Sequence, residues 1–182
     1  YDSKQVKDLL IFPVYARIDI IKSGDKSTKS ETLSSQNQNS IKVLLAKYIP
    51  DSINRQFLDC NDVLKAEIAN SGISLIKSIK ASLLPKNLDI PNSLLKVLDS
   101  LKQDYGLFIL NAGFTRTQEN FVKQYIIRKE ISVASLVFYN TEPNESYAVM
   151  IGVLIDKKRR KISYYKELSW RNRNPNESLV LN

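Results

Sequence analysis

The chain has 182 residues, 43% hydrophobic and 25% charged, with a formal net charge of +8. That length fits one domain with a buried core, and the composition is ordinary for a globular domain. There is no histidine and one cysteine, Cys60, which excludes an internal disulfide, Ser-His-Asp or Cys-His catalysis and the common zinc sites.

Residues 8–21 (DLLIFPVYARIDII) read as a strand. One face is apolar throughout (Leu10, Phe12, Val14, Ala16, Ile18, Ile20), and the other turns polar at Arg17 and Asp19. That pattern predicts burial on both faces at the start and on one at the end. Pro13 cannot donate to a ladder, so a bulge or an edge-facing amide is expected there. Residues 22–30 are polar and read as a mobile loop. A helix is expected from Ser30–Glu31, with Leu33, Asn37, Ile41, Leu44, Leu45 and Tyr48 near helical spacing and Pro50 ending it. INRQFLD (53–59) is a further short strand candidate. Asn61 is placed to cap a second helix whose apolar face is Leu64, Ile68, Leu75, Ile76, Ile79 and Leu83, weakened at Ser71 and Gly72. A third helix starts at about Pro91, with Leu94, Leu95, Val97, Leu98 and Leu101 inward.

DYGLFILNAGFTR (104–116) reads as a strand in which Gly106 and Gly113 allow close approach. Residues 118–139 read as a helix on their length and lack of breakers, although VASLVFY alone suits a strand. YAVMIGVLI (147–155) is apolar on both faces and predicts a central strand. KISYYKEL (161–168) alternates Ile162, Tyr164 and Leu168 against Ser163, Tyr165 and Glu167, predicting a half-buried antiparallel partner. The order predicts a single α/β (α+β) layered domain over residues 1–182. It has a mixed sheet of four to five strands, three to four packed helices, a C-terminal antiparallel hairpin and a tail from residue 170.

The charge is concentrated. Segment 156–173 holds Lys157, Lys158, Arg159, Arg160, Lys161, Lys166, Arg171 and Arg173 against only Asp156 and Glu167. DKKRRK (156–161) falls where a hairpin turn belongs, and charge there solvates the turn and discourages edge-to-edge association. The same run also suits an acidic partner, which makes Lys157, Lys158, Arg159, Arg160, Lys161, Arg171 and Arg173 the candidate surface. Tyr164, Tyr165 and Trp170 among those cations suit base stacking, so a nucleic-acid-binding domain is the alternative reading. The five glycines at 24, 72, 106, 113 and 152 form no phosphate-cradling motif. Glu142 with Glu145, and Asp99 with Asp104, are not expected to act as acid–base pairs. No catalytic residue, metal ligand or cofactor is assigned, and no enzymatic activity is expected.

LLIFPVYARI, DYGLFILNAGFTRTQENF and AVMIGVLIDKKRRKISYYKEL together resemble small cell-envelope lipoproteins of Gram-negative bacteria with a fold like the amino-terminal domain of TolB. The resemblance rests on Pro13 in the first strand, Tyr105–Gly106, and Asp156 followed by Ile162–Tyr165. It implies an α/β domain, a lipidated cysteine just upstream of Tyr1 in the precursor, a place on the periplasmic side and a non-catalytic binding or assembly role with a protein partner. It does not require the basic turn.

Overall fold

A computed structural model describes residues 6–82, 88–135, 143–173 and 175, without the side chains of 133–135. The fold is mixed α+β, with seven strands and four helices among the described residues. In chain order these are β1 (Asp8–Ile11), β2 (Tyr15–Ser23), β3 (Lys26–Lys29), α1 (Glu31–Tyr48), β4 (Asn54–Phe57), α2 (Asp62–Ala81), α3 (Asn92–Ser100), β5 (Tyr105–Arg116), α4 (Gln118–Ser135), β6 (Ser146–Asp156) and β7 (Lys161–Arg171). The strands pair in the order β3-β2-β5-β1-β4, with β6 pairing β5 and β7. The sheet is mixed: β1 runs parallel to both β4 and β5, and β3 runs antiparallel to β2. Among the described residues no helix is long and apolar enough to cross a membrane.

The chain divides into two compact units. One is built from Tyr1–Tyr15, Lys42–Leu110 and Met150–Glu167, the other from Ala16–Ile41, Asn111–Val149 and Leu168–Asn182. In the first unit, Leu9, Leu10 and Ile11 of β1 are buried in succession, the signature of a strand covered on both faces. Helix α2 starts where Asn61 Oδ1 accepts from the Leu64 amide at 2.9 Å. It buries Ile68, Gly72, Leu75, Ile76 and Ile79, one stripe at helical spacing. α3 buries Leu94, Leu95, Val97 and Leu98. Within this unit glycine is required at two places. A Cβ at Gly72 would run into the Phe108 ring, and one at Gly106 would meet Phe12 Cε2 at 2.6 Å. Cys60 is half-buried, and burial pushes its thiol up.

In the second unit, a short strand, β3, lies within the 22–30 stretch expected as loop. Gly24 turns the chain at φ 55°, and β3 returns with Ile20 opposite Thr28 and Asp19 opposite Lys29. All four β3 residues are exposed, so no apolar alternation marks the strand, and side-chain bonds hold it instead. Ser27 donates to Asp19 (3.0 Å), while Arg116 Nη1 donates to the Gly24 carbonyl (3.0 Å) and Nη2 to the Asp25 carboxylate (2.6 Å). That guanidinium holds the Asp25 carboxyl below the usual range. With β3 added, and the first expected strand broken between Ile11 and Tyr15 around Pro13, the strands among the described residues number seven. β2 buries Ala16 and Ile18 as expected, but then Ile21 rather than Ile20, beside a register shift between Ile21 and Ser23. Asn37 and Asn111, both fully buried, are joined: Asn37 Nδ2 donates to the Pro175 carbonyl (2.9 Å), and Asn111 Nδ2 to Asn37 Oδ1 (3.0 Å).

The expected burial of Tyr164 and Leu168 is also corrected. They are 49% and 42% exposed, and along β7 only Ile162 is buried. β7 runs to Arg171, one residue past the expected start of the tail. Leu83, Glu142, the expected helical residues 136–139, residue 174 and residues 176–182 lie outside the described residues.

Candidate functional site

The turn between β6 and β7 is fixed from its base. Asp156, the last residue of β6, is 4% exposed. Its Oδ1 accepts from the Arg159 amide at 2.9 Å, and the Lys157 amide donates to the Asp104 carbonyl at 2.9 Å. Arg160 N closes the turn on the Lys157 carbonyl (3.1 Å), and Arg160 itself sits at φ 51°. A side chain in that left-handed region costs roughly 1–2 kcal/mol relative to the right-handed one.

The structure sorts the sequence-predicted cations. Lys157 pairs with Asp99 (3.2 Å), Lys158 with Asp104 (2.7 Å) and Arg159 with Asp156 (3.7 Å). Among the described residues no carboxylate pairs with Arg160 or Lys161. Arg160 Nη2 reaches Asn92 Oδ1 at 3.4 Å. Arg171 and Arg173 belong to the other unit. Asp99 and Asp104, set aside as acid–base candidates, are the counter-ions of the turn. The positive field that the bare run suggests is therefore largely met within its own unit.

Two features beside the turn carry binding capacity. The first is β7, eleven residues long, which among the described residues pairs as a strand only with β6. Its other edge is a row of main-chain donors and acceptors of the kind an extended partner can join. The second is a cleft of about 500 Å3 lined by Ser74, Leu75 and Ser78 of α2, Asp89 to Asn92 ahead of and opening α3, and Arg160. Sequence reasoning reached Arg160 and missed the rest of the cleft, because two serines and an Asp-Ile-Pro-Asn stretch carry no motif. Among the described residues no cluster of His, Cys, Asp or Glu is arranged to hold a metal ion.

Near the free edge, Lys80 Nζ donates to Glu167 Oε1 (2.8 Å) and Tyr165 Oη to Glu167 Oε2 (2.7 Å). These bonds hold the Glu167 carboxyl below its usual range, Lys80 first and Tyr165 second. Burial, then the hydrogen bond to Glu167, pushes the Tyr165 phenol up from 10.0 to about 12. Fold stabilisation from the phenol is thus fully present below pH 10 and is lost as pH rises through about 12. That from Glu167 is present above its ordinary value of 4.5 and lost as pH falls through its lowered folded value. The difference in phenolate absorbance between the wild type and Tyr165→Phe is expected to titrate near 12. In Glu167→Gln the midpoint falls part of the way only, because burial is the larger cause. A midpoint at the ordinary value in the wild type would contradict the triad.

No protein-family model matches the sequence. No curated protein matches it at a significant level. Solved structures similar to the chain include the hypothetical protein CT253 from Chlamydia trachomatis, 13% identical, with 91% of this chain and 72% of that chain covered and a TM-score of 0.43. The C-terminal domain of LpoB from Salmonella enterica is 7% identical, with 93% and 86% covered and a TM-score of 0.38. Lipoprotein GNA1162 from Neisseria meningitidis is 12% identical, with 95% and 87% covered and a TM-score of 0.38. The fold stated above rests on this chain's own strand pairings.

Proposed function

We propose that this chain is a non-catalytic binding or assembly module of the cell envelope, lipid-anchored upstream of Tyr1 on the periplasmic side and engaging a protein partner. The free edge of β7 carries the proposal. It offers eleven residues of extended backbone, with Tyr164 and Leu168 exposed along it, which is the geometry of strand addition. The sequence resemblance to envelope lipoproteins supplies the anchor and the compartment. Arg160 and Lys161, at the start of β7, favour acidic groups on the partner; Arg171 and Arg173 are proposed to do the same at its end. Nucleic-acid binding draws less support, because three cations of the turn already have carboxylate partners and release fewer counter-ions on meeting phosphates.

The test uses the full-length gene product with its native upstream residues. It is expected to incorporate labelled palmitate and to fractionate with membranes. A photo-crosslinking residue at Lys166 of β7 is expected to give discrete protein adducts that are absent when it replaces Val63, which is 79% exposed on α2. An unlabelled soluble product overturns the anchor, and identical patterns at the two positions overturn the edge.

A further inference from the structure

Arg160 stands at a backbone position that suits glycine or asparagine, yet its side chain lines the 500 Å3 cleft. Its neighbours in the turn are held by carboxylates; among the described residues the Arg160 guanidinium meets the amide oxygen of Asn92, at a long 3.4 Å. Asp89 lines the same cleft, and among the described residues no ion pair joins the two. The cleft therefore presents one positive and one negative group that do not neutralise each other. The same lining carries the hydroxyls of Ser74 and Ser78 and the amide of Asn92, with Leu75 and Ile90, 2% and 5% exposed, as its apolar floor.

We infer that the cleft binds a small zwitterion, its carboxylate on Arg160 and its ammonium on Asp89, the chemistry of an amino acid or short peptide. An arginine fork matches a carboxylate in two parallel bonds. The volume lies in the range of small-molecule sites, so a dipeptide is the better fit. Its peptide group would then face the serines and its side chains the floor. The assignment does not depend on the β7 edge or on a lipid anchor.

Calorimetric titration and amide NMR of the whole chain test this with L-alanyl-L-alanine as the probe. Binding is expected, with shifts at Ser74, Ser78, Asn92 and Arg160. Acetylating the amino end, or amidating the carboxyl end, is expected to weaken it about tenfold, the worth of one charge-assisted bond. Arg160→Gly is expected to weaken the dipeptide by a similar factor while the melting temperature holds or rises, since glycine accepts the local φ. Asp89→Asn is expected to weaken the dipeptide but not its acetylated form. Free L-alanine binding as tightly as the dipeptide would support the site and identify an amino acid as its ligand. No binding of either zwitterion, inorganic phosphate binding as tightly, or an unchanged affinity in Arg160→Gly would overturn it.

Discussion

Replacing Asn37 by alanine is expected to destabilise the protein by about 3 kcal/mol or more, because it strands two buried groups that each cost about 1–3 kcal/mol unpaired. Asn37 is fully buried, and its amide serves both sides: Nδ2 donates to the Pro175 carbonyl and Oδ1 accepts from Asn111. Asn111 has no second bond to fall back on, since among the described residues its own Oδ1 has no hydrogen-bond partner. Urea unfolding is the measurement, read as a lower midpoint at unchanged slope. Removing both amides, Asn37→Leu with Asn111→Leu, is expected to cost less than the two single changes added, because paired polar groups replaced together by apolar ones leave fewer orphans. Additive losses would show that the two amides do not act as a pair.

Gly72→Ala sets two effects against each other. Inside α2, alanine should gain about 1 kcal/mol of helix propensity over glycine. Packing opposes it, since the new methyl would land on three atoms of the Phe108 ring, and that ring is fully buried. Overpacking of this kind typically costs about 1–3 kcal/mol, and a ring edge struck at three atoms has no single bond to rotate away. A net loss of about 2 kcal/mol is expected, at the upper end of that range less the propensity gain. Combining the change with Phe108→Leu should recover part of the loss, giving a favourable coupling in a double-mutant cycle. A single variant more stable than the wild type would show that the ring yields.

The sequence carried the fold wherever burial is one-sided and periodic. α2 announces itself by its apolar stripe and its capping Asn61, and β1 and β6 by unbroken apolar runs. It failed where side chains other than apolar ones hold the backbone. β3 has no buried residue and depends on Arg116, far away in sequence. Along α4, Val122, Ile126, Ile127 and Ile131 are exposed and face more than one direction, so no period marks an inner face. In β7, Tyr164 looked inward by alternation and is exposed instead. The basic turn was legible as a turn, but its charge was not, because Asp99 and Asp104 lie more than fifty residues earlier in the chain. The cleft was illegible for a related reason: its walls come from α2, the start of α3 and the turn, which only folding brings together.

The division of the chain into interleaved segments bears on how it is made. The first unit includes Met150–Glu167, and in the second Asn37 meets the carbonyl of Pro175. Neither can therefore close while only its early residues have emerged from a ribosome. β1 waits for β5 across more than ninety positions, and contacts so distant in sequence slow the search for the native state. Until β5 arrives, β1 lacks a partner along one edge, and an unpaired apolar strand is prone to aggregate.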